Sequence, residues 1–211
     1  PFTIRVADVA TAGSREVWRS PNSPDGSFPG RGDWGLMWAA DDRLLFASEQ
    51  TGWIGLYAVS ANGGDATRLT PTGCEIETPV LTRDRQAVLY ATNCGDIDRR
   101  HVQRVSVAGG VPQDVTTGHG IEWGPQPIER GRVALLHSDA RHPASPATAD
   151  SAGVTDLAGW TLPAGVPADQ LVEPQQVIVH AADSTEIHMQ VFVPPDGGAA
   201  RQPARTHLHG R

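Results

Sequence analysis

Leu44-Leu45-Phe46-Ala47-Ser48 returns as Val88-Leu89-Tyr90-Ala91-Thr92 and again as Val133-Ala134-Leu135-Leu136-His137, with centres at residues 46, 90 and 135. Gly63-Gly64 recurs in the same way, 46 residues later, as Gly109-Gly110. A unit of this length holds four short strands and cannot bury both of its faces alone. Copies must therefore stack against one another, as the blades of a β-propeller do.

Turn signals between short β-branched runs predict the strands of three complete blades. The first blade is predicted at Leu36–Ala39, Leu44–Ser48, Trp53–Val59 and Thr67–Thr70, and the second at Glu77–Thr82, Ala87–Thr92, Val102–Val107 and Gln113–Thr116. The third begins near Ile121, has its clearest strand at Arg132–Ser138 and has its outer strands within Ser145–Leu157. Two earlier strands, Phe2–Val9 and Glu16–Arg19, are predicted to be the outer half of a preceding blade. The predicted fold class is all-β, a partial propeller of about three four-stranded blades and part of a fourth.

The period stops after Gly159, so we predict a partial propeller at residues 1–160 and a different domain at residues 161–211. A proline-marked linker leads into two alternating runs, Gln175–Ala181 and Glu186–Val193. These runs face each other across a short polar segment and predict a β-hairpin.

Charge and hydropathy argue against two kinds of partner. The formal net charge is -7 and no basic stripe is present, which argues against nucleic acid. No stretch reaches the ~18 apolar residues of a membrane-spanning helix. The chain opens at Pro1 inside a strand pattern, so we expect it to be cut from a longer protein. The absence of a leader then says nothing about its compartment.

The two cysteines flank the first strand pair of the second blade. The turn between those strands is centred near Asp84, so residues whose numbers sum to about 168 should lie opposite each other. The numbers of Cys74 and Cys94 have this sum, which predicts that the two cysteines face each other. Either they form a disulfide, which implies a periplasmic or secreted protein, or they are reduced thiols of a cytoplasmic one. A register shifted by one residue would place them on opposite faces of the sheet.

Four motifs resemble the prolyl oligopeptidase family of serine peptidases, on its dipeptidyl-peptidase and acylaminoacyl-peptidase side. They are Ser48-Glu49-Gln50-Thr51-Gly52-Trp53, Gly95-Asp96-Ile97-Asp98-Arg99-Arg100-His101, Gly120-Ile121-Glu122-Trp123 and the closing His209-Gly210. The resemblance implies a propeller followed by an α/β-hydrolase domain, whose first strands would be the hairpin within residues 161–211. The chain departs from the family at Arg211, where a second glycine is common.

The activity implied by the resemblance is that of a serine exopeptidase acting on short peptides, with a propeller that gates and positions the substrate. Such a hydrolase needs a serine on a Gly-x-Ser-x-Gly elbow, followed by Asp and His. The 211 residues contain no such pentapeptide, so we expect no catalytic residues here and no activity from this chain alone. No cofactor and no metal site are predicted, and a homo-oligomer remains open.

Charged residues cluster in the loops that follow the second strand of each blade. Blade geometry places these loops on the face from which the chain would enter the hydrolase. The candidate residues for substrate or interdomain contact are Glu49, Asp96, Asp98, Arg99 and Arg100. Carboxylates suit a free peptide amine and an arginine fork suits a carboxylate or carbonyl, but the same charges could instead tie the loop to its surroundings.

Two other functions fit a propeller. One is a non-catalytic module that binds a protein partner, and the other is a sugar-active enzyme whose tryptophans form a binding platform. The residues after 211 distinguish the peptidase from the binding module, because a Gly-x-Ser-x-Gly elbow favours the peptidase and a further blade favours the binding module.

Overall fold

The computed structural model describes residues 1–23, 26, 35–157, 163, 165–167 and 170–193. Its contacts divide the chain into two compact units, one of residues 1–139 with 143–160 and one of residues 140–142 with 161–211. The first unit is built from β-strands, and a short 3-10 turn, Glu129–Gly131, precedes the last but two of them.

Three four-stranded antiparallel sheets follow one another in chain order, and each is a simple meander. Blade 1 consists of β3 (Met37–Trp38), β4 (Arg43–Ser48), β5 (Gly55–Ser60) and β6 (Thr67–Arg68). Blade 2 consists of β7 (Ile76–Leu81), β8 (Ala87–Thr92), β9 (His101–Ser106) and β10 (Gln113–Asp114). Blade 3 consists of β11 (Ile121–Pro127), β12 (Val133–Ser138), β13 (Ser145–Asp150) and β14 (Gly153–Asp156). The predicted all-β partial propeller is confirmed.

Two further hairpins flank the blades in sequence. The N-terminal hairpin pairs β1 (Thr3–Ala7) with β2 (Ser14–Arg19), as the sequence predicts for the outer half of a blade. In the second unit, β15 (Gln175–His180) pairs with β16 (Glu186–Val191) without a register shift. The domain to which this second hairpin belongs stays a prediction.

Alternating side chains along β4 and β8 are buried on both faces of the sheets of blades 1 and 2. In β4, Leu44 and Phe46 pack with the N-terminal hairpin, whereas Leu45 and Ala47 pack towards blade 2. All six residues of β8 are buried. A strand buried on both sides must have a neighbour on each face, which is the physical reason why the repeat stacks.

The 46-residue period holds in the hydrogen bonds as well as in the sequence. The backbone N–H of Leu56 donates to the Thr70 hydroxyl at 3.1 Å, and that of Val102 donates to the Thr116 hydroxyl at 2.8 Å. In each blade this hydroxyl occupies the place of the next backbone carbonyl in the ladder. The outer strands therefore end at Arg68 and Asp114, two residues earlier than predicted.

The inner strands of blades 2 and 3 each contain a β-bulge before a proline. In β7 the paired residue numbers sum to 168 at Ile76–Thr92 and to 169 at Val80–Leu89, and β11 shows the same slip. The bulged residue is Thr78 (φ 47°) in blade 2 and Gly124 (φ 61°) in blade 3. A left-handed backbone suits glycine, whereas a β-branched residue is strained there.

Replacing Thr78 with glycine is expected to raise the free energy of unfolding by about 0.5–1 kcal/mol, because the relieved strain exceeds the entropy that glycine loses on folding. Thr78 is exposed, so no packing is lost. The reciprocal Gly124→Thr variant should lose about 1–2 kcal/mol. Urea unfolding of the three proteins measures both changes, and a destabilised Thr78→Gly protein would contradict the assignment of strain.

Candidate functional site

The predicted candidate residues lie at one edge of the blades, which we call the loop edge. It carries the loops after the second strands (residues 49–54 and 93–100) and the connections between blades (residues 69–75 and 115–120). Hydrogen bonds join these segments directly. The side-chain oxygen of Asn93 accepts from the Glu75 N–H at 2.7 Å, and the Arg99 Nε donates to the His119 carbonyl at 3.2 Å.

A disulfide closes the loop edge of blade 2. Cys74 and Cys94 are bonded, with their Cα atoms 5.0 Å apart. The bulge at Thr78 contributes to this pairing. Near the turn between β7 and β8 the numbers of paired residues sum to 169, and beyond the bulge they sum to 168, the sum that places Cys74 opposite Cys94. Closing a loop with a sequence separation of 20 is expected to stabilise the fold by about 3 kcal/mol.

The loop of residues 93–100 is held mainly by its own charges. The Arg99 guanidinium forms an ion pair with the Asp96 carboxylate at 2.8 Å, and the other Asp96 oxygen accepts from the Asp98 N–H at 3.0 Å. Arg100 reaches a different strand, where its Nε is 2.8 Å from the Glu77 carboxylate. Arg99 and Asp96 therefore shape the loop, and Arg100 fastens it to β7.

Blade 1 fixes the corresponding loop by a different device. The Arg68 guanidinium donates to the Thr51 hydroxyl, to the Thr70 carbonyl at 2.8 Å and to the Pro71 carbonyl at 2.7 Å. It passes over Gly55, where an added Cβ would lie 2.6 Å from the guanidinium carbon. The Glu49 side chain makes no hydrogen bond or ion pair within the part of the chain that the structure describes. No such bond links it to Asp96, Arg99 or Arg100.

Glu122 is a buried carboxylate that the sequence analysis did not single out, although its motif was noted. It lies on β11 with only 1% of its surface exposed. Its Oε2 lies 2.8 Å from His101 Nδ1 and accepts from the Thr116 hydroxyl at 2.7 Å. The Glu122 N–H donates to the Arg100 carbonyl at 2.8 Å. The motifs of residues 95–101 and 120–123 thus meet in one hydrogen-bonded centre.

This polar centre is specific to the interface between blades 2 and 3. The residue 46 positions before Glu122 is Ile76, which is fully buried and whose N–H donates to the Ile54 carbonyl at 3.1 Å. The backbone bond is therefore common to both interfaces, and the carboxylate is added in the second. Gly120 makes room for it, since a Cβ there would lie 3.1 Å from Glu122 Oε1, 2.7 Å from His137 Nε2 and 3.0 Å from the Ser138 carbonyl.

No family model matches the chain, and no curated protein matches it significantly. A puromycin hydrolase mutant complexed with PGG superposes with a TM-score of 0.59 at 20% identity, over 77% of this chain and 26% of that one. A second puromycin hydrolase structure gives 0.57 at 19% identity, over 74% and 25%. A Mycobacterium tuberculosis puromycin-hydrolyzing peptidase gives 0.60 at 18% identity, over 79% and 27%.

The chain shares their fold. The propeller that the family resemblance implies is thereby confirmed over most of the chain, which spans about a quarter of the length of each of these proteins. The closing His209-Gly210 motif lies outside the described residues. Within the described residues, the structure contains no helix long and apolar enough to cross a membrane.

Replacing Glu122 with alanine is expected to lower the free energy of unfolding by about 3 kcal/mol, because the Thr116 hydroxyl and His101 lose a buried acceptor. Glu49→Ala is the matched control and should change it by less than about 0.5 kcal/mol. Urea unfolding followed by tryptophan fluorescence measures both variants. A loss below about 1 kcal/mol in Glu122→Ala would show that the centre does not hold blades 2 and 3 together.

Proposed function

We propose that this chain is part of a serine peptidase of the prolyl oligopeptidase family. It would supply the later blades of the propeller at residues 1–160 and the opening hairpin of an α/β-hydrolase domain within residues 161–211. The observation that carries the proposal is the meeting of two family-like motifs in the His101–Glu122 contact, on a fold shared with puromycin hydrolases. One of those proteins is described as a peptidase.

The loop edge is the proposed contact surface of this propeller with substrate. Glu49 has no partner among the described residues, so its carboxylate is available for the free amine of a short peptide. Arg100 and Glu77 form a half-exposed pair, with 42% and 32% of their side chains accessible. Such a pair can open towards a peptide carbonyl at small cost, because exposed ion pairs contribute little. Asp96 and Arg99 would then support the loop without touching the substrate.

The proposed reaction is removal of residues from the free amino end of short peptides. The nucleophile would come from the rest of the whole protein, because the 211 residues contain no Gly-x-Ser-x-Gly elbow. The Cys74–Cys94 disulfide supports a periplasmic or secreted location.

The whole protein that contains this chain is expected to react with a fluorophosphonate probe and to hydrolyse puromycin and alanine p-nitroanilide. The isolated chain should do neither. The N-acetylated anilide should be cleaved about ten-fold more slowly or worse, because it lacks the amine that would form a charge-assisted contact. A steady-state assay with both anilides measures this preference.

Variants separate the proposed contact from the proposed chemistry. In the whole protein, Glu49→Gln should raise the KM for the free-amine anilide and leave that for the acetylated one unchanged, with Glu129→Gln as a matched control. Equal KM changes for both anilides would contradict the role of Glu49. No probe labelling and no hydrolysis by the whole protein would overturn the peptidase, and would favour a propeller that binds a protein partner.

A further inference from the structure

A cleft opens between blades 2 and 3 at the edge opposite the loop edge, and we call it the turn-edge cleft. Successive connections in an antiparallel meander alternate between two edges, so this edge carries the turns of residues 82–86 and 128–132. The cleft has a volume of about 730 Å³. Its partly exposed apolar lining consists of Val115, Pro127 and Ile128, above the buried side chains of Leu89 and Val133. Small-molecule sites commonly have this size and an apolar lining with a few polar groups.

The contacts that close the interface between blades 1 and 2 at this edge are missing between blades 2 and 3. Between blades 1 and 2, the Arg85 carbonyl accepts from the Ala40 N–H at 3.0 Å, and the Arg85 guanidinium donates to the Trp38 carbonyl. Arg85 stands two residues before β8, and the residue two before β12 is Gly131. Glycine has no side chain with which to repeat the contact. In the described residues, no hydrogen bond joins the turn of residues 128–132 to blade 2.

The side-chain packing between blades 2 and 3 also differs from that between blades 1 and 2. Leu45 pairs with Ala58 in blade 1, and Leu89 pairs with Arg104 in blade 2 at the corresponding register position. Ala58 is 1% exposed and packs within the core between blades 1 and 2. Directly paired residues lie on the same face of a sheet, so Arg104 faces blade 3 with Leu89. A long charged side chain thus stands where the repeat otherwise has a small apolar one.

The cleft is lined by four carboxylates and four guanidiniums, so its formal charges balance, but the two sets differ in their hydrogen bonds. Three of its carboxylates are occupied by their own blades, through the Thr82 hydroxyl to Asp84 at 2.6 Å, Gln103 to Asp114 at 2.9 Å and the Ala152 N–H to Asp150 at 2.8 Å. The fourth carboxylate is that of Glu129, on the turn. The four guanidiniums that line it make no hydrogen bond or ion pair within the described part of the chain. They belong to Arg83, Arg104, Arg130 and Arg132.

The charge of Arg104 acts on the carboxylate of Asp84, which also lines the cleft. The Thr82 hydroxyl and the Gln86 N–H lower the pKa of Asp84, and the nearby Arg104 guanidinium adds to this effect. Arg104 therefore lies near a carboxylate that is already hydrogen-bonded, and its five donors remain available.

We propose that the turn-edge cleft binds a small organic carboxylate, whose apolar body rests on the partly exposed Pro127 and Ile128 and whose carboxylate is held by Arg104. An arginine fork matches a carboxylate with two parallel hydrogen bonds. The adjacent apolar surface favours a ligand with a hydrophobic body over a bare ion. The site belongs to this chain alone and does not depend on the proposed peptidase activity.

Titration of the chain with 4-phenylbutyrate, followed by amide chemical shifts in NMR spectra, tests the proposal. Saturable shifts are expected at Gly131 and Ala149, with none at Ala58 in the preceding interface. The uncharged 4-phenylbutanamide is the matched ligand and should bind about ten-fold more weakly or worse, because it lacks the charge that Arg104 recognises. Equal binding of both ligands, or no saturable shift, would overturn the proposal.

Arg104→Gln should weaken 4-phenylbutyrate binding by about ten-fold, because the charge-assisted contact is lost. Arg5→Gln removes the same charge from the N-terminal hairpin and should leave binding unchanged. If Arg5→Gln and Arg104→Gln weaken binding equally, the ligand responds only to net charge and the site is wrong.

Discussion

The architecture depends on a backbone hydrogen bond that passes from the inner strand of blade 2, and again from that of blade 3, to the blade before it. The Ile76 N–H reaches the Ile54 carbonyl at 3.1 Å, and the Glu122 N–H reaches the Arg100 carbonyl at 2.8 Å, with donors and acceptors both 46 residues apart. This bond fixes where each new blade starts relative to the third strand of the previous one. Apolar stacking then follows, because central strands buried on both faces require neighbours at that position.

The loop edge and the turn edge of the blades differ in how tightly they are closed. At the loop edge, the disulfide and the Asp96–Arg99 pair fix the loop of blade 2, and the Glu122 centre joins blade 2 to blade 3. At the other edge, Gly131 and Arg104 replace the contacts that close the preceding interface, and a cleft remains. Irregularities within a regular repeat are therefore the places where this chain can carry function.

The repeat made much of the fold predictable. Apolar centres at constant spacing specify strands buried on both faces, and only stacking satisfies them, so the blades and their order follow from the sequence. The ends of the outer strands did not follow, because the hydroxyls of Thr70 and Thr116 complete the ladder in place of backbone carbonyls. The bulges were also hidden, since Thr78 is a residue type that sequence reasoning does not place in a left-handed conformation.

The candidate site was less predictable than the fold. Clustered charges drew attention to the loop of residues 95–101, but their sequence could not show that Arg99 would bind within its own loop and Arg100 would bind Glu77. Glu122 was harder still, because its partner His101 lies 21 residues away in another blade.

Amide hydrogen exchange of the whole chain, measured residue by residue by NMR, tests the central claim most directly. If backbone bonds between blades set the frame, the amides of Ile76 and Glu122 will exchange as slowly as those of the buried strand β8, since all open only in global unfolding. Val111, which is 89% exposed, provides the fast reference. Exchange of Ile76 and Glu122 at a rate close to that of Val111 would contradict the account.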